Sequence, residues 1–154
     1  MNRDYYPTPL SAINPLLNFL PPALKYFEPA CGDGRIIKQM KDKGFDIEGT
    51  DIIYGNDFFK SKEKREAIIT NPPFYCATEF VEHALLLSNN VIMLLRLSFL
   101  ASKKRYNLFK YYPLTSLFVL VKRPSFVGKG TDNSEYGWFV WSNTIEKKGI
   151  FHLL

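Results

Sequence analysis

Strand-like and helix-like segments alternate along the middle of the chain, and this alternation restricts the fold more than any other feature of the sequence. The segments follow one another in the order strand, helix, strand and then strand, helix, strand. The predicted elements are Lys25–Glu28, Arg35–Lys43, Asp46–Ile53, Ala67–Thr70, Ala77–Ser88 and Val91–Leu97. Strands joined through a helix pair in parallel by right-handed crossovers. The pattern therefore predicts a parallel sheet covered by helices.

The last third of the chain departs from this alternation. After a short predicted helix over Ser102–Lys110 come two strand-like segments, Ser116–Lys122 and Trp138–Ser142, with no helix predicted between them. Such strands can pair antiparallel, because no crossover has to return the chain to the same end of the sheet. We therefore predict an α/β fold: a three-layer, Rossmann-like sheet that is mostly parallel with an antiparallel edge strand. Ligands bind beyond the carboxyl ends of the strands in such sheets.

Length and composition indicate how the chain is organised. The 154 residues suit a single domain over 1–154, with no separate target-recognition domain. Residues 1–22 contain five of the ten prolines and are predicted to form an irregular arm that contributes to the ligand site. Within the arm Ser11–Leu20 can form a helix, which Pro15 limits to a short piece. Two cysteines are too few for a disulfide framework or a four-ligand zinc site. Without an apolar signal segment or a membrane-spanning run, we expect a cytoplasmic protein that does not insert into membranes.

A glycine turn and two carboxylates follow the first two predicted strands. Gly32 and Gly34 permit close approach of the backbone to a ligand, but they match neither a three-glycine dinucleotide motif nor a Walker loop. Asp51 lies about 20 residues beyond the glycines, where an acidic residue can hold ribose hydroxyls. Asp57 can accept a hydrogen bond from an exocyclic amine, and the adjacent Phe58 can stack on adenine. Together these residues predict a nucleoside pocket that does not grip a pyrophosphate.

The segment Asn71-Pro72-Pro73-Phe74 is the strongest single motif, and it directly follows the apolar strand Ala67–Thr70. With the glycine turn upstream, the chain resembles the class I S-adenosylmethionine-dependent methyltransferases, in particular the adenine-N6 group with an Asn-Pro-Pro-aromatic catalytic loop. The resemblance covers most of the chain and implies a methyltransferase sheet with S-adenosylmethionine as the cofactor. A methyltransferase this compact also resembles small phage DNA adenine methyltransferases.

The resemblance assigns residues to the cofactor. Glu28 would lie near the methionine ammonium group, and the hydroxyl of Thr8, in an early Tyr-Pro-Thr-Pro segment, would reach the methionine carboxylate. Asp51 would bind the ribose, while Asp57 and Phe58 would hold the adenine. The complete implied set is Tyr6, Thr8, Glu28, Ala30, Gly32, Gly34, Asp51, Asp57, Phe58 and Asn71.

By the same resemblance the catalytic residues are Asn71, Pro72, Pro73 and Phe74. The exocyclic amine of adenine is a poor nucleophile because its lone pair is delocalised into the ring. The side-chain oxygen of Asn71 and the carbonyl of Pro72 can accept its N–H groups and stabilise the positive charge that develops on nitrogen. The prolines stiffen the loop, and Phe74 can stack on the target ring. No metal, covalent nucleophile or strong base is required.

A net charge of +5 and an aromatic content of 16% favour a nucleic-acid substrate, although a mildly basic soluble domain has a similar composition. The expected substrate-binding residues are Phe74, Phe126, Lys103, Lys104, Arg105 and Arg123. Phe126 either forms a second aromatic wall facing Phe74 or belongs to the core. The basic residues either contact phosphates or form a solvated face. The glycine-containing loop Val127–Tyr136 could order on the substrate.

Several alternatives stay open at this point. The Thr8-Pro9 pair favours DNA as the substrate, but Phe74 as the last loop residue also occurs in RNA enzymes of this family. A protein glutamine methyltransferase uses a similar loop, and a non-catalytic subunit would bind the cofactor and support a partner. A homodimer or a partner protein could supply sequence specificity. His83 and Cys76 are predicted to be structural.

Overall fold

The computed structural model describes residues 6–126, 133–145 and 151–154, which together form one sheet of seven strands. The strands are β1 (Lys25–Glu28), β2 (Asp46–Gly49), β3 (Ala67–Thr70), β4 (Asn90–Arg96), β5 (Ser116–Val119), β6 (Tyr136–Ser142) and β7 (Phe151–Leu153). The α-helices are α1 (Leu10–Leu17), α2 (Arg35–Asp42), α3 (Ala77–Leu87) and α4 (Tyr106–Tyr111). The second strand is shorter than predicted, because the chain turns at Asp51 into a single 3-10 turn.

Most of the sheet is parallel. The strand order is β2-β1-β3-β4-β6-β5-β7. Strand β1 pairs in parallel with β2 and β3, and β3 pairs in parallel with β4. Strand β6 runs antiparallel to both β4 and β5, and β7 is parallel to β5. The α/β, Rossmann-like prediction is confirmed.

The antiparallel strand lies farther inside the sheet than the sequence suggested. Strand β6 sits between β4 and β5 and pairs with β4 from Asn90↔Ser142 to Arg96↔Tyr136. Every residue of β6 is buried. A strand that is apolar along its whole length gains most from neighbours on both sides, so the shorter strands β5 and β7 occupy the outer positions.

Two hydrophobic clusters cover the two faces of the sheet and make a three-layer structure. In β4, Ile92 and Leu94 belong to the cluster that includes α1 and α2. The alternate residues Val91, Met93 and Leu95 belong to the cluster that includes α3 and α4. Because successive side chains of a strand point to opposite faces, β4 is buried on both, as its apolar run predicts.

The N-terminal arm contains one short helix, as the sequence allowed, although it begins one residue earlier and ends three residues earlier than the predicted segment. Helix α1 forms despite Pro15 and buries four apolar side chains, those of Ala12, Ile13, Leu16 and Leu17. The indole N–H of Trp138, on β6, donates a hydrogen bond of 2.7 Å to the carbonyl of Ala12. This burial compensates for the helical hydrogen bond that a proline cannot donate.

Neither a membrane-crossing helix nor a metal-binding cluster occurs in the described ranges. Helix α3 has 11 residues, whereas about 20 apolar residues are needed to cross the hydrocarbon core of a bilayer. In the same ranges no group of three His, Cys, Asp or Glu residues is arranged to hold a metal ion.

Candidate active site

A cavity of about 450 Å³ lies beyond the carboxyl ends of β1, β2 and β3. Glu28 ends β1, Asp51 follows β2 and Asn71 follows β3, so the parallel pairing brings these three side chains to one edge of the sheet. The predicted cofactor residues that line this cavity are Tyr6, Thr8, Glu28, Ala30, Gly32, Asp51 and Asn71.

The glycine turn between β1 and α2 is held by Asp51. Gly32 and Gly34 adopt φ angles of 51° and 79°, a left-handed region that favours glycine. The Gly32 N–H donates to Asp51 Oδ2 at 2.8 Å, and the Ile53 N–H donates to Asp51 Oδ1 at 3.0 Å. The Asp51 carboxylate is therefore fixed in place and retains lone pairs for a ligand hydroxyl. Gly34 caps α2 and does not line the cavity.

Glu28 is the most unusual titratable group of the cavity. Its side chain is only 2% exposed, and its Oε2 atom has no hydrogen-bond partner among the described residues. Burial raises the pKa of Glu28 well above its ordinary value, and the nearby charges of Asp51 and Asp33 raise it further. A backbone hydrogen bond from Ile37 acts in the opposite direction. A cationic ligand would satisfy this buried carboxylate.

The charges around the cavity are mixed but mainly acidic. Glu28, Asp33 and Asp51 line it, together with one guanidinium, that of Arg35. Arg35 Nε lies 2.9 Å from Asp33 Oδ2. In a chain of net charge +5, three carboxylates at one cavity favour a ligand that carries positive charge. The guanidinium can in addition meet a carboxylate of such a ligand.

Asn71 is tied to the N-terminal arm. Its Nδ2 donates to the carbonyl of Tyr6 and to the hydroxyl of Thr8, at 3.1 Å in each case. Because a carbonyl can only accept, these bonds set the orientation of the amide and leave Oδ1 as its acceptor. That Oδ1 is buried and has no partner within the described part of the chain. Pro73 also lines the cavity, whereas Pro72 is buried and does not.

Phe74 and Phe126 lie together in an aromatic cluster and not on the cavity wall, and Phe126 belongs to the buried core, one of the two positions considered for it. Their ring centroids are 6.3 Å apart, edge to face. The ring of Tyr6 stacks on Phe74 at 5.1 Å and meets Phe126 edge-on at 5.9 Å. Tyr136 packs against both phenylalanines, and the guanidinium of Arg96 lies 4.8 Å from the Phe74 centroid.

Asp57 and Phe58 lie away from the cavity. Phe58 is 6% exposed and packs on the α3 side of the sheet, with ring centroids 4.9 Å from Phe80 and 4.8 Å from His83. Asp57 accepts the backbone N–H of Phe59 at 3.1 Å and so caps a 3-10 turn. The structure does not bring these two residues together with the rest of the predicted cofactor set.

The predicted basic residues have different surroundings. Arg105 donates to the carbonyls of Phe99 and Ser98, at 2.6 and 3.1 Å, and so acts within its own segment. Lys104 pairs with Glu79 at 3.5 Å, and Arg123 pairs with Glu135. Lys103 lines a separate groove on the same segment. Residues 127–132 of the predicted substrate loop lie outside the described residues.

Sequence reasoning missed three exposed apolar residues at the cavity. Ile52 and Ile53, directly after Asp51, line it while remaining more than half exposed. Tyr75, directly after the Asn71-Pro72-Pro73-Phe74 segment, also lines it and is 77% exposed. The two isoleucines could have been predicted, because they form an apolar pair directly after an acidic residue at the end of a strand. Tyr75 was overlooked because the neighbouring Phe74 already matched the aromatic position of the motif.

Comparison with known proteins reveals structural relatives only. No protein-family model and no curated protein sequence matches the chain. A candidate class I S-adenosylmethionine-dependent methyltransferase from Listeria monocytogenes matches 100% of this chain and 67% of its own, with a TM-score of 0.72 and 11% identity. The 23S rRNA methyltransferase ErmE matches 91% of this chain and 70% of its own, with a TM-score of 0.63 and 15% identity.

A third structural neighbour is the modification subunit of a candidate type I restriction enzyme from Vibrio vulnificus. The match covers 97% of this chain and 46% of that subunit, with a TM-score of 0.62 and 13% identity. At these identities the likeness concerns the fold, which all three neighbours share with the chain along most of its length.

Proposed function

We propose that this chain, whose fold is that of the class I S-adenosylmethionine-dependent methyltransferases, transfers a methyl group to the exocyclic N6 amine of adenine in nucleic acid. DNA is the favoured substrate, on the strength of the Thr8-Pro9 pair. The observation that carries the proposal is Asn71, whose amide is oriented by Tyr6 and Thr8 and whose Oδ1 is buried and unpaired within the described residues.

The residues around the cavity fit S-adenosylmethionine as the cofactor. The buried Glu28 carboxylate would accept the methionine ammonium group, and Arg35 or the Thr8 hydroxyl would hold the methionine carboxylate. Asp51 would accept the ribose hydroxyls, and Ile52 and the neighbouring Ile53 offer an apolar surface for the adenine. When bound, this cofactor supplies an electrophilic methyl group on a sulfonium centre.

Asn71 would act on the target amine. Its Oδ1 accepts one N–H of the amine, and the carbonyl of Pro72 would accept the other. Acceptance of both favours a pyramidal nitrogen and stabilises the positive charge that develops there. Positioning carries the rest of the catalysis, because no covalent nucleophile is needed. Stacking of the target base on Phe74 requires the ring of Tyr6 to move aside, since that ring covers Phe74.

Nucleic acid is the substrate class best supported. The net charge is +5, and the acceptor groups of the Asn71-Pro72-Pro73-Phe74 loop suit a planar amine. One structural neighbour is a 23S rRNA methyltransferase, and another is a modification subunit of a type I restriction enzyme. RNA is therefore the second candidate, supported by the first of these neighbours and by Phe74 as the last loop residue.

Replacing the oriented amide tests the proposal. The purified protein is incubated with methyl-labelled S-adenosylmethionine and with DNA, RNA or protein, and the product is identified by mass spectrometry. We expect N6-methyladenine in DNA, and Asn71→Ala should lower the rate by about 10²-fold or more, since it removes an acceptor aimed at the developing charge. Asn89→Ala, which removes an exposed amide just before β4, is the matched control and should leave the rate unchanged.

Each other product points to a different function. N6-methyladenine only in RNA would select the RNA alternative. Label in glutamine side chains would contradict the proposal. Cofactor binding by calorimetry without transfer to any pool would indicate a non-catalytic subunit, for which a partner would then have to be sought.

A further inference from the structure

A second concave surface, of about 950 Å³, lies on the segment that follows β4. Apart from Ser102, its polar lining comes from four residues, Lys103, Tyr106, Asn107 and Lys110, and we call it the Lys103–Lys110 groove. Strand β4 is the parallel neighbour of β3, which leads into Asn71. Both strands therefore end at the same edge of the sheet, so the groove-bearing segment leaves the sheet on the edge where the candidate active site lies.

The four polar residues occupy one face of a helical segment. They stand at positions i, i+3, i+4 and i+7, in a 3-10 turn that continues into α4. Leu108, between them in sequence, is buried. The segment is thus amphipathic, with its polar face outward. The two lysines are seven positions apart, so they lie about 10 Å apart along the helix axis. This distance spans a few nucleotides of a single strand.

The groove stands on a rigid support. The guanidinium of Arg105 bonds to the carbonyls of Phe99 and Ser98, and it lies 4.3 Å from the centroid of the Phe99 ring. Phe99 in turn packs edge-on against Phe109 at 6.0 Å and against Phe139 of β6 at 5.7 Å. Arg105 therefore shapes the groove, although the sequence suggested that it would touch the substrate.

The charge of the groove is uncompensated. No ion pair joins Lys103 or Lys110 to an acidic residue in the part of the chain that the structure describes, whereas Lys104 pairs with Glu79. No acidic residue contributes to the lining. Tyr106, which lies between the two lysines in sequence, is 65% exposed. Cations along a groove with an exposed aromatic ring are the features by which proteins bind single-stranded nucleic acid.

We propose that the Lys103–Lys110 groove binds a single-stranded stretch of the nucleic acid that flanks the target adenine. The two lysines contact phosphates, and Tyr106 stacks on a base. This assignment rests on the proposed function and adds to it the path of the substrate strand. Such contacts, to phosphates and stacked bases, are largely independent of sequence.

Salt-dependent binding tests the groove. Fluorescence anisotropy follows a labelled single-stranded oligonucleotide binding to the whole protein at several salt concentrations. Loss of two phosphate contacts in Lys103→Gln/Lys110→Gln should reduce the slope of log K against log salt by roughly 1.4. Lys41→Gln/Lys43→Gln, which removes two exposed charges near the opposite edge of the sheet, should leave the slope unchanged. Tyr106→Ala should weaken binding about tenfold, and Tyr106→Phe should retain it.

The outcomes separate the groove from the function. One outcome is that the wild-type protein binds and methylates the oligonucleotide while the double lysine variant keeps the same salt slope. In that case the groove does not bind the nucleic acid, and the proposed methyltransferase function is unaffected. If the wild-type protein binds no oligonucleotide and methylates protein instead, the proposed function fails first. A poly-glutamate peptide that competes as strongly as the oligonucleotide would assign the groove to an acidic protein partner and overturn the proposal.

Discussion

Four buried side-chain atoms are without a hydrogen-bond partner among the described residues, and two of them, Glu28 Oε2 and Asn71 Oδ1, belong to residues that line the same cavity. Leaving such an atom unpaired costs about 1–3 kcal/mol, more for a charged group. A ligand that satisfies both atoms recovers this free energy on binding. At the scale of single residues, the cavity is therefore built for a ligand with a cationic donor near Glu28 and an N–H donor near Asn71.

Glu28 should recognise one end of the cofactor. We expect Glu28→Gln to weaken the binding of S-adenosylmethionine at least about tenfold, because a charge-assisted hydrogen bond is lost. Binding of 5′-methylthioadenosine, which lacks the amino-acid end, should hardly change. Titration calorimetry with both ligands measures the difference, and Glu82→Gln, at an exposed position of α3, is the control. Equal losses for the two ligands would remove Glu28 from the methionine end.

At the scale of elements, the site depends on how the arm packs. Helix α1 buries its apolar side chains under the sheet, and the segment just before it places Tyr6 and Thr8 on Asn71. The three strands β1, β2 and β3 supply the remaining polar groups at their carboxyl ends. Docking of α1 therefore determines whether the amide of Asn71 is oriented, although α1 itself does not line the cavity.

Truncating the buried face of α1 should destabilise the fold. Ile13 is completely buried, so Ile13→Ala should lower the free energy of unfolding by about 3 kcal/mol through lost burial and the cavity it leaves. Leu10→Ala, on the same helix at a position that is 51% exposed, should cost much less. Urea denaturation of the two variants measures both values. Similar losses would show that α1 is not docked as described.

At the scale of the whole molecule, the order of the strands creates the site. Residues that are 63 and 65 positions apart in sequence, Asn71 with Thr8 and with Tyr6, are hydrogen-bonded across it. The same edge of the sheet leads into the Lys103–Lys110 groove through β4. The proposed cofactor pocket, catalytic amide and path of the substrate strand therefore share one edge of a single sheet.

The stability of the molecule without ligand should report the burial of Glu28. Its pKa is raised on folding, so the folded state holds the proton more tightly than the unfolded chain, where a glutamate titrates at about 4.3. As pH rises above that value toward the raised pKa, the wild type should lose stability relative to Glu28→Gln. Urea denaturation of both proteins across this pH range provides the test. A stability difference that does not vary with pH would mean that folding does not raise the pKa of Glu28.

Much of the fold was predictable from local patterns. The alternation of strands and helices, the apolar run of β4 and the helix after the glycine turn are all properties of neighbouring residues. The interior position of β6 could not be predicted from local patterns, because it depends on which strands pair with one another across the whole sheet. The motif residues Gly32, Asp51 and Asn71 could be placed at one edge once the strands were assumed to be parallel.

The sequence by itself determined the α/β class, the parallel half of the sheet and the motif that ends β3, because each follows from short-range periodicity and from residues adjacent in the chain. Only the tertiary structure decided which way the Asn71 amide faces, that Glu28 is buried, that Phe58 packs against α3, and that Arg105 supports a groove instead of lining it. The physical reason is that hydrogen-bond partners and burial come from segments distant in the chain, whose meeting is a property of the packed molecule.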